Sequence, residues 1–297
     1  MKKLIILATI LTAGHAFAQI REFQTTRLNS TAGTGVASIL STEAAILNPA
    51  SAAFFGDSSA SLQSYSTSLR KENSLRKTIP DKFPKNNKSS GYFLSDHSAG
   101  VKGGIAYLQQ DENRFGREKM VFHGAAPVGA EGAVGFSYNY IRDTLPKKYN
   151  KRHRTHHQMR VGSTFILNEG SYLGLVIVDP TRTNPGDERV LIGFQQAMTS
   201  SLILMADVGS QYSKDVMDKS LWGVAIQMNL FDDFFIRGGR SYDNITKLRG
   251  YGYGVGWVGP RFGVEFAQRF SESFGKGTYI YKKESLVDTA LSAILKF

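Results

Sequence analysis

The chain has 297 residues and a formal net charge of +11, with no cysteine. The missing cysteine excludes disulfide bridges and thiolate metal sites. The mean hydropathy of −0.23 is typical of a soluble protein, but a membrane β-barrel has a similar average because only every second strand residue needs to be apolar. Composition therefore leaves both classes open.

Residues 1–18 are typical of a secretory signal peptide. Two lysines precede an apolar run over 4–13, and Ala16 and Ala18 form a cleavage pattern. The run is too short to cross a bilayer as a helix. We expect an exported protein that begins at Gln19; a buried N-terminal helix is the alternative interpretation.

The stretch TEAAILNPASAAFFG, residues 42–56, predicts a short helix that is then interrupted. Residues 42–47 are mostly good helix formers. Pro49 lacks a backbone donor and disfavours helix at the residue before it. We expect Asn48 to cap or turn the chain and Pro49 to end the helix.

From residue 58 onward, hydropathy alternates with a period of two. Large apolar residues take every second position while glycine or polar residues lie between them, as in 132–143, 158–167, 221–230, 249–259 and 261–270. Such alternation predicts strands with one apolar face. The last stretch, SLVDTALSAILKF, alternates in the same way and ends in an aromatic residue, Phe297.

The connections between these strands alternate in length. Short turns are predicted near 96–100, 127–131, 168–170, 199–200, 231–233 and 259–260, and long connections near 70–90, 109–117, 142–156, 179–188, 212–219, 240–246 and 271–285. This alternation is typical of an all-β, up-and-down antiparallel transmembrane barrel, here of about fourteen strands. A soluble periplasmic β-protein, in which the apolar faces meet in a core, is the alternative.

The segment ahead of the strands carries Gly33, Gly35, Glu43 and the tripeptide Asn48-Pro49-Ala50. A Gly/Ala-rich segment, an acidic residue and a short helix ending in Asn-Pro-Ala before a barrel resemble the outer-membrane long-chain fatty-acid transporter (FadL-like and PorV-like) superfamily. The usual Asn-Pro-Ala-Gly-Leu is replaced by Asn-Pro-Ala-Ser-Ala, and the motif covers only about 25 residues.

The resemblance implies a Gram-negative outer-membrane protein in which residues 19–57 fold into the lumen of a barrel formed by residues 58–297. This plug would carry the gating residues Glu43, Asn48, Pro49 and Ala50. The implied function is passive uptake of a hydrophobic, fatty-acid-like small molecule, without enzymatic activity. Some relatives are barrel components of secretion systems, so a scaffold or shuttle for a secretion or envelope partner is the alternative. The terminal Phe297 resembles the membrane-insertion signal read by the barrel-assembly machinery.

Charged residues suggest two sites. The polar strand faces would present lumenal cations that could receive a carboxylate headgroup: Lys102, Arg160, Arg249, Arg261 and Arg269. The alternative is that ion pairs such as Arg261 with Glu265 only hold the lumen together.

The loop LPKKYNKRHRTHHQ has the strongest basic cluster, formed by Lys147, Lys148, Lys151, Arg152 and Arg154. On an external loop these residues could bind phosphate groups of outer-membrane lipid and lipopolysaccharide; a merely solvated loop is the alternative. An exported barrel argues against nucleic acid as a partner. No catalytic set, metal site or cofactor is predicted.

Overall fold

Fourteen antiparallel strands close into a barrel, as the sequence predicts. The computed structural model describes residues 21–39, 41–71, 86–96, 98, 100–112, 115–144, 153–184, 186–214, 219–231, 233–275 and 284–297. Each strand pairs with its neighbours in sequence, and the first pairs with the last. The strands are β1 (Ser59–Lys71), β2 (Asn86–Asp96), β3 (Lys102–Glu112), β4 (Phe115–Val128), β5 (Gly132–Thr144), β6 (His153–Asn168), β7 (Ser171–Val178), β8 (Arg189–Thr199), β9 (Leu202–Ser210), β10 (Ser220–Asn229), β11 (Phe234–Asp243), β12 (Leu248–Val258), β13 (Phe262–Ser273) and β14 (Ser285–Lys296).

The apolar face of each strand points outward. In β5, Val134 and Phe136 are exposed on the outer surface, whereas Ser137 and Asn139 are fully buried inside. The strand alternation is therefore confirmed, and the alternative of a soluble core is wrong because the apolar faces point away from one another. An apolar exterior around a polar interior is the arrangement of a transmembrane barrel.

Aromatic rings lie near both ends of the outer surface. Trp257 and Phe262 are close together at the end with the short turns, their ring centres 6.2 Å apart. At the other end, Tyr242 stacks on both Trp222 and Phe274. Aromatic bands at two levels mark the two interfaces of a membrane-spanning barrel. We call the two ends the short-turn end and the long-loop end.

Several connections at the long-loop end are shorter than predicted. β3 ends at Glu112 and β4 begins at Phe115, and only residues 244–247 separate β11 from β12. Residues 109–112, 115–117 and 240–243, which were predicted as loop, belong to strand ends. Strand ends need no apolar face once they extend beyond the apolar zone. All six predicted short turns are found. The predicted signal peptide, 1–18, and most of the first basic connection lie outside the described residues.

Residues 21–39 and 41–55 lie against the inner face of the barrel, and Gly56 and Asp57 are exposed at the short-turn end. We call this segment, up to residue 58, the plug. It contains two short helices, α1 (Thr26–Ser30) and α2 (Ser41–Ala44), and a 3-10 helix over Pro49–Phe54. None of the helices in the described part of the chain is long and apolar enough to cross a membrane. The prediction that Pro49 ends the helix is wrong, because α2 already ends at Ala44 and Pro49 begins the next helix. A proline at the first helical position lacks only a donor that would go unused.

The apolar core lies between the plug and the barrel wall. Phe23 of the plug contacts Tyr65 of β1 edge-on, with ring centres 5.3 Å apart, and Phe93 of β2 at 6.3 Å. Leu28 and Ile46 of the plug are buried in the same cluster. Burial of such side chains contributes about 1.5–3 kcal/mol each, so the plug is an integral part of the folded protein.

Candidate functional site

The plug packs against a row of glycines in the part of the barrel wall between β5 and β12. At each of them an added Cβ would lie less than 3.0 Å from a plug atom, closer than real Cβ atoms approach. Only a residue without a side chain allows the plug backbone this close. We call the following seven residues, from seven strands, the glycine belt: Gly135, Gly162, Gly174, Gly193, Gly223, Gly239 and Gly252.

Much of the belt is continuous across the sheet. Gly174 lies directly opposite Gly193, and Gly193 opposite Asp207 of β9, which in turn lies opposite Gly223. Asp207 is buried and accepts hydrogen bonds from the backbone N–H groups of Gly35, at 2.6 Å, and Val36, at 3.1 Å. A carboxylate thus fastens the plug loop to the wall at the level of the belt.

Asn48 links three parts of the molecule. Its side-chain amide donates to the carbonyl of Val36, 2.8 Å away in the plug, and to the hydroxyl of Thr164, 2.9 Å away in β6. Its amide oxygen accepts from the N–H of Ala50 and caps the 3-10 helix. The predicted capping role is confirmed, and Pro49 and Ala50 pack on Gly135. The gating role stays a prediction.

Glu43 lies at the centre of the plug. Its carboxylate accepts from the hydroxyl of Thr25 at 2.8 Å and pairs with Arg27 at 3.3 Å, and all three side chains are buried. Burial lowers the pKa of Arg27 to about 10, although Glu43 opposes that shift, so the guanidinium is charged at neutral pH. Removing one partner of such a pair leaves a buried charge and costs about 3–5 kcal/mol.

The first described residues span the lumen. Arg21 pairs through both terminal nitrogens with Asp288 of β14, at 3.1 Å. The next residue, Glu22, accepts from Lys119 of β4 at 2.8 Å and from Arg160 of β6 at 2.6 Å. Burial by itself raises the pKa of Glu22, but the two cations outweigh it and hold the pKa well below its usual range. Two adjacent plug residues are therefore bound to different sides of the barrel.

The predicted lumenal cations do not form one site. Arg160 and Arg269 face the lumen, where Arg269 donates to Gln24 at 3.2 Å. Lys102 bonds the carbonyl of Phe55 at the short-turn end. The structure brings Arg160 and Arg269 to one cavity and leaves Lys102 apart from it.

Two of the predicted lumenal cations, Arg249 and Arg261, do not face the lumen. Arg249 lies on the outer face, where it pairs with the exposed Glu272 at 2.9 Å, because its odd position in β12 shares the outward face with Tyr251. Arg261 is exposed in the turn before β13. The expected pair with Glu265 is also wrong: Glu265 binds Arg237 at 3.1 Å, because both point into the lumen.

The predicted external cluster is mostly outside the described residues. This applies to Lys147, Lys148, Lys151 and Arg152, whereas Arg154 is exposed near the beginning of β6. The terminal Phe297 is exposed, and its backbone N–H donates to Ser58. Phosphate binding and membrane insertion stay predictions for these residues.

A cavity of about 160 Å³ separates the plug from the wall on the long-loop side. Plug residues Leu28, Val36 and Ile46 form part of its lining, and the wall adds Val178 and Leu191. Three cations and several carboxylates complete it: Arg160, Arg189, Arg269, Glu22, Asp187, Asp207 and Asp243. The site can hold a small apolar body with polar groups around it.

A second cavity, of about 320 Å³, opens on the short-turn side. Arg27, Phe55 and Arg237 line it, and the Arg237 guanidinium lies 3.9 Å from the ring centre of Phe235. Arg27 lines this cavity while its neighbour Leu28 lines the other one. The layer around Arg27 and Glu43 therefore separates the two cavities.

Most of the wall residues that contact the plug were not predicted from the sequence. The glycines of the belt are visible in the sequence as the small positions that alternate with large apolar ones, for example Gly135 and Gly162. An inward glycine repeated from strand to strand is the signal that would have predicted close backbone approach. No local signal marks Arg27 or Lys119, whose partners are distant in the sequence.

No protein-family model matches the sequence, and no curated protein matches it. Solved structures do. The toluene transporter TbuX of Ralstonia pickettii is 12% identical with a TM-score of 0.69, over 93% of this chain and 98% of that chain. The toluene transporter TodX of Pseudomonas putida is 10% identical with a TM-score of 0.69, over 94% and 99%. A Pseudomonas aeruginosa FadL homologue is 12% identical with a TM-score of 0.63, over 92% and 98%. The chain therefore has the fold of the FadL-like outer-membrane β-barrels.

Proposed function

We propose that this protein is an outer-membrane channel of a Gram-negative bacterium that admits a small hydrophobic molecule past a lumenal plug. The observation that carries the proposal is the cavity between plug and wall on the long-loop side, with Leu28, Val36 and Ile46 against Val178 and Leu191. A concave site with apolar side chains on its walls and convergent polar groups is the usual form of a small-molecule site. Similar folds in toluene transporters support the same class of cargo.

The size of the cavity favours a one-ring molecule over a long chain. Its volume of about 160 Å³ is near the roughly 150 Å³ of a cavity that holds benzene. A fatty-acid chain would need the second cavity as well, and the buried pair of Arg27 and Glu43 lies between the two. In this state the path is closed, and passage requires the plug to move.

The proposal can be tested by measuring the uptake of radiolabelled toluene and oleate by cells that produce this protein and lack other channels of this fold. Leu191→Trp should fill the cavity and lower toluene uptake about tenfold, because an inserted ring displaces the ligand from its site. Ile192→Trp is the matched control: it is the next residue of β8 and is exposed on the outer face. Equal uptake by Leu191→Trp and the wild type would reject the cavity as the binding site.

The plug also favours a second function, a scaffold or shuttle for an envelope partner. Its buried polar contacts fasten it to the wall at Asp207, Asn48 and Arg21. A scaffold needs no path. The same uptake assay separates the two functions, because a scaffold would carry neither toluene nor oleate, even when the plug is loosened by Gly162→Ala.

A further inference from the structure

A groove of about 470 Å³ on the barrel surface gathers three arginines. It lies where β11, β12, β13, β14 and β1 approach the long-loop end. Arg240 and Arg249 come from adjacent strands on the outward face, and Arg70 comes from β1. Among the described residues that line the groove, Glu272 is the one carboxylate, so their summed charge is positive.

Arg70 lies in the groove because the even positions of β1, such as the exposed Leu62, face outward. Leu69 pairs with Leu286 and Lys71 with Ser285, so Arg70 is also the extra residue of a β-bulge at this level. The Arg70 guanidinium reaches across β14 to lie 5.7 Å from the ring centre of Phe270 on β13, within cation–π distance.

Arg240 and Arg249 flank a tyrosine. Arg240 lies directly opposite Tyr251, and Arg249 is two residues before it on the same face of β12. Tyr251 stacks on Phe270 with ring centres 4.9 Å apart. The groove therefore has an aromatic floor with guanidinium groups around it. Charged residues on the outer face of a barrel are tolerated near the interface, which is the level of these strand ends.

The surface below the groove is apolar. Tyr253, Val255, Phe266 and Leu291 are exposed on the outer face toward the middle of the strands. A ligand here would meet positive charge at the interface and an apolar wall below it. That combination fits a lipid with an anionic headgroup, since guanidinium groups bind phosphate by paired, charge-assisted hydrogen bonds.

We propose that Arg70, Arg240 and Arg249 bind the phosphate of a phosphorylated outer-leaflet lipid whose acyl chains lie along the strands below. This inference rests on the membrane location argued above, not on the transported molecule. The site is on the outer face, away from the lumenal cavity, so toluene uptake can fail while lipid binding remains, and the reverse.

The test is native mass spectrometry of the detergent-purified, full-length protein with diphosphoryl lipid A. The wild type should retain the lipid. The triple variant Arg70→Gln/Arg240→Gln/Arg249→Gln should bind it at least about tenfold more weakly, because each charge-assisted contact contributes that order of affinity. Arg142→Gln is the matched control, an exposed arginine of β5 on the opposite side of the barrel, and should bind like the wild type.

Three results would overturn the proposal: unchanged retention in the triple variant, equal retention of dephosphorylated lipid A, or displacement of the lipid by millimolar inorganic phosphate, which would indicate a simple anion site.

A shift in gel mobility on boiling checks that the triple variant is folded. If it is not, Glu272→Gln provides the test. That variant removes the carboxylate that competes for Arg249 and should strengthen retention, and unchanged or weaker retention would contradict the site.

Discussion

The amide oxygen of Asn48 lies directly over Gly162, so close that a Cβ on the glycine would overlap it. The same asparagine holds Val36 in the plug and Thr164 in the wall through its amide nitrogen. One side chain thus connects the loop over the belt, the 3-10 helix and β6. A displacement of Asn48 would therefore disturb the contacts among these three elements.

Gly162→Ala should displace the plug without unfolding the barrel. The new methyl group collides with Asn48, and overpacking of this kind typically costs about 1–3 kcal/mol. Because the chain lacks cysteine, a single Ala37→Cys substitution in the plug can be followed by maleimide labelling. Labelling of this cysteine should be faster in the Gly162→Ala variant than in the protein that keeps Gly162. Gly124→Ala in β4 is the control, since the nearest atom to its added Cβ is 3.8 Å away. Equal labelling of the two variants would argue against the glycine belt as the surface that holds the plug in place.

Asn48→Ala should raise permeability more than Pro49→Ala. The first change removes the amide contacts to Val36 and Thr164 and costs about 1–3 kcal/mol, because buried partners are left unpaired. The second removes only the preset backbone angle of the 3-10 helix, worth about 0.4–1 kcal/mol. Single-channel conductance in planar bilayers measures both, and gel mobility on boiling verifies the barrel. Unchanged conductance in Asn48→Ala would contradict a gating role for this residue.

Asp207→Ala should free the loop at Gly35 and Val36. Hydrogen bonds to a charged group contribute about 1.5–3 kcal/mol each, and two backbone N–H groups lose their acceptor. Hydrogen exchange at these two amides should increase. Asp207→Asn keeps one acceptor oxygen and should show a smaller increase. Protection that is the same in all three proteins would mean that the belt alone fixes the loop.

The contact of Glu22 with Lys119 and Arg160 should depend on pH in one direction. The pKa of Glu22 is lowered in the folded protein. Its contribution to stability is therefore complete above the ordinary glutamate pKa of about 4.3 and is lost as the pH falls toward the lowered folded value. Thermal unfolding of the wild type and Glu22→Gln should differ at pH 7 and converge in acid. A difference that grows on acidification would contradict the ion pairs.

Arg237→Met should destabilise the protein, whereas Arg261→Met should not. Arg237 is buried against Glu265, and removing one member of a buried pair costs about 3–5 kcal/mol. Arg261 is exposed in a turn, where substitutions typically change stability by less than about 0.5 kcal/mol. Urea unfolding of the two variants in detergent measures the difference. Equal midpoints would show that the lumenal pair is not a structural contact.

The sequence by itself determined the barrel. Alternation with period two requires only local information, because successive side chains of a strand point to opposite faces. It therefore identified the apolar faces of the strands, and the alternating short and long connections predicted about fourteen strands with six short turns. The same rule did not extend to strand ends, where residues 109–112, 115–117 and 240–243 continue the strands beyond the apolar zone. There the local pattern of a strand and that of a loop are alike.

The tertiary structure alone decided the site. Arg21 pairs with Asp288, 267 positions later, and Asp207 accepts from Gly35, 172 positions earlier. Composition around either residue does not encode such a partner, because closure of the barrel and insertion of the plug bring them together. For the same reason Arg261 could not be separated from Arg237 as the partner of Glu265. Local periodicity determines the face of a residue within a strand, and the register of the strands around the plug determines which residues it contacts there.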